Sequence, residues 1–367
     1  MNVTLVADAL GPQLSGIGRY VLELCRRMPL EPAVDRVGYF AHGRYLDRFD
    51  GLLENKLPAP RSQISNWLRD RIDKRRLRDS IIHGPNYFLP AQAETGIITV
   101  HDLSVFRYPE THPADRVHAF EREFENSLTR AAHVITDSET VRRELIADFG
   151  VSETSATAVH LGVAGAFRPR ATQELEPEPQ LASLGLVPSQ YALCVSTVEP
   201  RKRIAELIRA WRKLPTSIRH ATPLVLAGAK GWLNDQLHSE IREGVAAGWL
   251  KHLGYVPDAA LPALYSGASL FLYPSSYEGF GLPPLEAMAS GVPVLVANRS
   301  CLPEICGDAA GYIDPDDIAG FSDAIAEALT DSEWRTAARQ RGLERAAGFT
   351  WDKCVETTVS IYRSVLR

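Results

Sequence analysis

Short, unbroken apolar runs alternate with stretches of helical period along almost the whole chain. NVTLVAD (2–8), IITVH (97–101), HVITD (133–137) and ATAVHL (156–161) make one series. YALCVS (191–196), PLVLAG (223–228), SLFLYP (269–274) and VPVLVA (292–297) make a second. Between them, RYVLELCRRM (19–28), SETVRRELIADF (138–149) and RIAELIRAW (203–211) repeat their apolar residues at helical spacing. Strands apolar at successive positions are covered on both faces, which calls for helices on either side of a parallel sheet. The expected class is therefore α/β, as a pair of doubly wound domains. At ~150 residues per domain, 367 residues suffice for about two. ATQELEPEPQ (171–180), with two Pro, three Glu and no apolar period, marks the linker. The expected domains are 1–170 and 181–350, followed by a last helix over 351–367 after the turn AAGFT.

Charge and cysteine usage narrow the function classes. Forty Lys and Arg against forty-five Asp and Glu give a net charge of −5, unlike the basic footprint of a nucleic-acid binder. The five cysteines, at 25, 194, 301, 306 and 354, are odd in number and scattered. Cys301 and Cys306 have no His or second Cys pair nearby to complete a zinc site, so all five read as reduced thiols of a cytoplasmic protein. No apolar stretch approaches the ~18 residues of a membrane span. The start, MNVTLVADALG, lacks a basic segment followed by an apolar one and reads as a first strand, not a signal peptide. Residues 61–80 hold seven Arg and Lys against three Asp. That cationic helix bears Trp67, Leu68, Ile72 and Leu77, and reads as a solvated face or as a contact with an anionic membrane surface.

Four segments carry chemistry. In YPSSYEGFGLPPLEAMASGVPVLVA (273–297) a strand ends in a glycine loop, and Pro283–Pro284 then opens a helix. The amides of Gly279, Phe280, Gly281 and Leu282 would face a phosphate at that helix N-terminus. Glu278 and Glu286 could grip two sets of ligand hydroxyls, or serve as a turn residue and a helix-dipole partner. In VSTVEPRKRIAELIRAW (195–211), Arg201 and Lys202 follow a strand, a position suited to a diphosphate. LSGIGRYVLEL (14–24) offers Gly16 and Gly18, but Val21 stands where a dinucleotide fingerprint needs its third glycine. TVHDL (99–103) puts His101 and Asp102 at a strand end, where they could orient a sugar or handle protons. NYFLP (86–90) is either a sugar-stacking platform or core, and DPDD (314–317) reads as a helix cap rather than a metal motif. Nucleophile elbows, zinc-protease helices and P-loops are missing from the sequence.

In order, these segments resemble the family 4 retaining glycosyltransferases of the GT-B type. The resemblance also runs through TDSETVRREL (136–145), HLGVAGAFRP (160–169), LVLAGAKGW (224–232) and LPEICGDAAGYIDP (302–315), and its most specific part is the spacing from Glu278 to Glu286. It implies two Rossmann-like domains facing a central cleft, with a nucleotide-sugar donor held by the second and the acceptor mainly by the first. Lys202 with Arg201 would clamp the diphosphate, and Glu286 would hold the ribose hydroxyls. Glu278 and the 279–282 amides would hold the transferred sugar and phosphates, and Val256 would lie by the nucleobase. Gly16 and Gly18 would close over the donor, and His101 and Asp102 would lie beside the transferred sugar. Many members carry Gly-Arg shortly before the lysine; here Val195–Ser196 stands there, which leaves Arg201 or Arg203 as the second cation. The implied reaction moves a hexose, mannose from GDP-mannose foremost, to a glycan or lipid-linked glycan, without metal or cofactor. Another GDP- or UDP-sugar donor, or a catalytically silent sugar-nucleotide-binding subunit, is the alternative. The implied location is cytoplasmic, with peripheral contact at the inner membrane face through 61–80.

Overall fold

The computed structural model describes residues 1–56, 63–111, 114–170, 179–229 and 235–366. The first sheet contains β1 (Asn2–Val6), β2 (Arg36–Ala41), β3 (Arg44–Leu46), β4 (Ile81–Gly84), β5 (Gly96–Val100), β6 (Ala131–Thr136) and β7 (Ala156–Ala158). Their order is β3-β2-β1-β4-β5-β6-β7, and only β2 and β3 run antiparallel. His42 and Gly43 join those two strands with φ of 51° and 74°, the left-handed pair a two-residue hairpin turn needs. The second sheet contains β8 (Ala192–Val195), β9 (Leu224–Ala227), β10 (Leu250–Gly254), β11 (Leu270–Tyr273), β12 (Val294–Ala297) and β13 (Ala310–Ile313). It is parallel throughout, in the order β10-β9-β8-β11-β12-β13.

Every residue of β5, β11 and β12 is buried, as strands covered on both faces must be. These are strands the apolar runs announce. β4, β10 and β13 were not expected, because IIHG, LKHLG and AGYI are short and broken by His, Lys or Gly. Their partners, rather than their own composition, recruit them into the sheets.

Packing divides the chain into two units, Met1–Gly162 with Trp351–Arg367, and Val163–Thr350. The boundary thus lies before the expected linker at 171–180, of which 171–178 fall outside the described residues. Residues 163–170 go with the second unit for a local reason. Val163 N donates to Phe349 O at 3.1 Å, and the Phe167 ring meets Tyr265 edge-on at 5.5 Å.

The helix Trp351–Val365 packs in the first unit, burying Trp351, Val355, Val359 and Tyr362. Tyr362 Oη lies 2.6 Å from His83 Nδ1, His83 Nε2 lies 2.8 Å from Thr99 Oγ1, and Thr99 Oγ1 lies 3.0 Å from Tyr20 Oη. Burial pushes His83 down to about 3, so it sits in this chain as a neutral ring. All five cysteines are buried and free. Among the described residues no helix is long and apolar enough to cross a membrane. Gln63–Arg78 is helical, but Leu77 is buried in the core with Ile82 and Phe124 and is lost to any membrane-facing stripe. Ile72 is half exposed. The side chains of Trp67 and Leu68 lie outside the described residues.

Candidate active site

The second sheet reverses its winding between β8 and β11, and open α/β sheets bind ligands beyond the strand ends at such a point. Two loops leave from there. The loop after β8 carries Glu199, Arg201 and Lys202; the loop after β11 carries Glu278. A short turn, Pro200–Lys202, is followed by Arg203 in left-handed backbone at φ 55°. This change of direction separates the three cations. Lys202 Nζ lies 2.5 Å from Glu278 Oε1 and 3.2 Å from Tyr273 Oη. Arg201 lies 3.6 Å from Glu278 Oε2, pairs with Glu199 at 3.3 Å, and donates to Tyr277 O at 2.9 Å. Arg203 turns instead to Glu206, at 3.1 Å, and to Asp316. Of the two candidates for a second cation, Arg201 is the one beside Lys202.

Burial opposes the charged form of Glu278, but Lys202 and Arg201 outweigh it and hold the carboxyl below its ordinary range. The loop continues into Gly281, whose φ of 105° suits glycine, and into the helix Leu282–Ala289. The first turn of this helix is Leu282-Pro283-Pro284, so Leu282 supplies its one early amide, at an N-terminus that favours an anion. The Phe280 side chain is buried, edge-on to Phe349 at 5.9 Å, and so is not itself a ligand contact. Gly279 precedes it on the loop, Leu282 opens the helix, and Glu286 is buried one turn farther on. Val256, beyond β10, is also buried, whereas Tyr255 beside it is 46% exposed. DPDD is occupied locally: Asp314 and Asp316 pair with Arg299, and Asp317 caps the helix Ile318–Thr330 through Gly320 N.

In the first unit the winding reverses between β1 and β4. Gly16 opens the helix Gly16–Arg27 after β1, capped by Ser15, whose Oγ accepts from Gly18 N at 3.2 Å. A Cβ on Gly18 would come within 2.9 Å of Ala9 O, so this glycine serves close packing, and its amide serves the cap. His101 and Asp102 follow β5 directly. His101 is buried, with Nδ1 2.8 Å from Asp137 Oδ2 and Nε2 2.8 Å from Pro85 O. Facing a carboxylate and a carbonyl, the ring satisfies both nitrogens by donating from each. Burial works against that charge, but Asp137, the Pro85 carbonyl and Asp102 raise the imidazole above its usual value. His101 is thus a ring with both nitrogens engaged. Asp102 is half-buried, accepts from Ser104 N at 2.8 Å, and its own amide donates to Tyr87 Oη at 3.0 Å. Tyr87 belongs to the aromatic core, where its ring meets Phe120 at 5.0 Å, so NYFLP is no open stacking platform.

Sequence reasoning missed Asp137, Glu199 and Tyr273. Asp137 ends the strand HVITD, and β6 is the neighbour of the strand that carries His101. That adjacency was the missing signal.

The halves match two family descriptions: residues 14–164 match Glycosyltransferase Family 4, and 182–345 match Glycosyl transferases group 1. O-antigen chain mannosyltransferase B of Escherichia coli is 37% identical across 99% of this chain and 100% of that protein. The chain belongs to glycosyltransferase family 4. It is a glycosyltransferase. Among solved structures, sucrose-phosphate synthase from Thermosynechococcus elongatus matches with a TM-score of 0.73 at 19% identity, covering 100% of this chain and 99% of that one. HepE of Anabaena, in complex with UDP-glucose, matches at 0.72 and 17% identity over 99% of this chain and 100% of that one. These likenesses give the family 4 chain its fold class, GT-B.

Proposed function

We propose that this family 4 enzyme transfers mannose from GDP-mannose to a growing glycan or lipid-linked glycan, with retention and without a metal. The observation that carries the donor reading is the Arg201–Lys202–Glu278 cluster beside a glycine loop, at the winding reversal of the second sheet. Full-length similarity to a protein named as an O-antigen chain mannosyltransferase supports mannose and a polysaccharide acceptor.

Departure of a nucleoside diphosphate builds negative charge on its β-phosphate. Lys202, Arg201 and the 279–282 amides supply preorganised positive charge for it. Glu278 gives up its cations to the incoming phosphates and turns to the sugar hydroxyls, while Glu286 takes the ribose and the Val256 loop the base. The bond from the sugar C1 to the β-phosphate oxygen breaks, and one from C1 to the acceptor oxygen forms on the same face. The acceptor proton passes to the leaving phosphate. To the first unit's His101, Asp102, Gly16 and Gly18 we assign the sugar and acceptor side. Membrane-surface contact through 61–80 fits the exposed Arg75 and Arg78.

Transfer from GDP- and UDP-sugars to a mannose-containing glycan acceptor, with and without EDTA, tests the reading, together with the anomeric configuration of the new linkage by NMR. Turnover of GDP-mannose that EDTA leaves intact, giving an α-linked product, is expected. Turnover of a UDP-sugar alone would replace the mannose assignment.

A further inference from the structure

The loop that leads into the helix Leu282–Ala289 is held from two sides. One side is the Arg201–Lys202 turn: Ser276 N donates to Arg201 O at 2.8 Å, and Arg201 donates to Tyr277 O. The other side is Ser300–Leu302, beyond the tip of β12. Ser300 Oγ donates to Glu278 O at 2.7 Å and accepts from Glu278 N at 3.2 Å. Cys301 Sγ lies 3.1 Å from Glu278 O and 3.0 Å from Phe280 O. The Leu302 side chain sits 3.0 Å from where a Cβ on Gly281 would be.

Two features separate this contact from ordinary packing. Ser300 takes left-handed backbone, φ 54°, which a non-glycine residue adopts at a cost. Cys301 stands at the N-cap of the helix Leu302–Cys306 yet makes no side-chain bond to that helix. Its thiol points away from its own helix, to the loop. Burial and the neighbouring Glu278 push that thiol up, so at neutral pH it is a donor, facing two carbonyl acceptors.

We infer that Ser300 and Cys301 are positioning residues: they fix the carbonyls of Glu278 and Phe280, and so aim the intervening amides at the donor diphosphate. A planar trans peptide sets its N–H opposite its C=O, so fixing the Glu278 and Phe280 carbonyls also fixes the directions of the Gly279 and Gly281 amides. The inference rests on the donor reading above, because it assigns these two residues the task of presenting that loop to phosphate. Neither residue touches the ligand.

The test compares inhibition of donor turnover by GDP and by guanosine, which share the base and ribose but not the phosphates. Cys301→Ala is expected to raise the GDP inhibition constant and the donor KM about ten-fold, the loss of one hydrogen bond. Guanosine inhibition should hold at its wild-type value. Cys301→Ser, whose hydroxyl can donate to the same carbonyls, should restore GDP inhibition to within about three-fold of wild type. Ser300→Gly keeps the left-handed backbone and removes only the hydroxyl. It should reproduce the Cys301→Ala pattern, and carries the test if that variant does not fold. Unchanged GDP inhibition in both variants, or an equal rise for GDP and guanosine, would overturn the inference while leaving the donor reading intact. A wild-type enzyme inhibited by no nucleoside diphosphate would overturn the donor reading itself, and this inference with it.

Discussion

Lys202 is the residue on which the second unit's charge arrangement turns. It is buried against Glu278 and Tyr273, and Arg201 reaches the same carboxylate from farther away. Lys202→Met would leave Glu278 with one distant cation and the donor phosphate with one fewer. On that argument kcat/KM for the donor falls about 10²- to 10³-fold, as when one preorganised donor is removed from an oxyanion site. Steady-state kinetics beside circular dichroism would separate this from unfolding. The first unit has its own buried pair. Asp137 Oδ2 holds His101, while Oδ1 is buried with no hydrogen-bond partner among the described residues. Because the folded state raises the His101 value, the His101 contribution is fully present below its unfolded value of about 6.5 and is lost as pH rises through the folded one. The urea midpoint of the wild type should therefore decline from pH 6 to pH 9. In Asp137→Asn it should start lower and change little over the same range.

At the scale of elements, the decisive unit is strand, loop and helix: β11, the loop to Gly281, and Leu282–Ala289. Pro283 and Pro284 sit where a helix has no amide bond to lose, so the sequence enforces the start of this helix. Gly281 makes the turn before it possible. Gly281→Ala puts a Cβ into left-handed backbone and against Leu302, at a cost of about 1–3 kcal/mol. Denaturant unfolding should show that loss, and donor KM should rise with it, because the loop amides cannot keep their direction once the turn shifts. The expected Arg201–Arg203 cluster also resolves at this scale. Three consecutive cations looked equivalent in the sequence, but a 3-10 turn and a left-handed residue send Arg203 to Asp316 and leave Arg201 with Glu278.

At the scale of the whole molecule, the last helix belongs with the first residues. Trp351 is buried near Tyr20, with ring centroids 6.3 Å apart, and Tyr362 ends the hydrogen-bonded chain through His83 and Thr99. Trp351→Ala should cost about 3–5 kcal/mol, as large-to-small changes of a buried aromatic do. Hydrogen exchange should locate the loss in β4 to β6 and leave β8, β11 and β12 protected as in the wild type. Equal loss of protection in both units would contradict the division of the chain.

What the sequence determined by itself was set by local chemistry. Unbroken apolar runs required parallel sheets, the double proline and glycines required a loop opening a helix, and the Glu278–Glu286 spacing pointed to the family. Each of these depends on neighbours along the chain, so it can be read along the chain. The tertiary structure decided what depends on neighbours across it. It paired His101 with Asp137, turned Phe280, Val256 and Leu77 inward, gave residues 163–170 to the second unit, and set Ser300 and Cys301 against the Glu278 loop. Strand order brings those partners together from positions that nothing in their own segments relates. Strand order is fixed only when the whole sheet is assembled, with the apolar faces of all its strands covered at once.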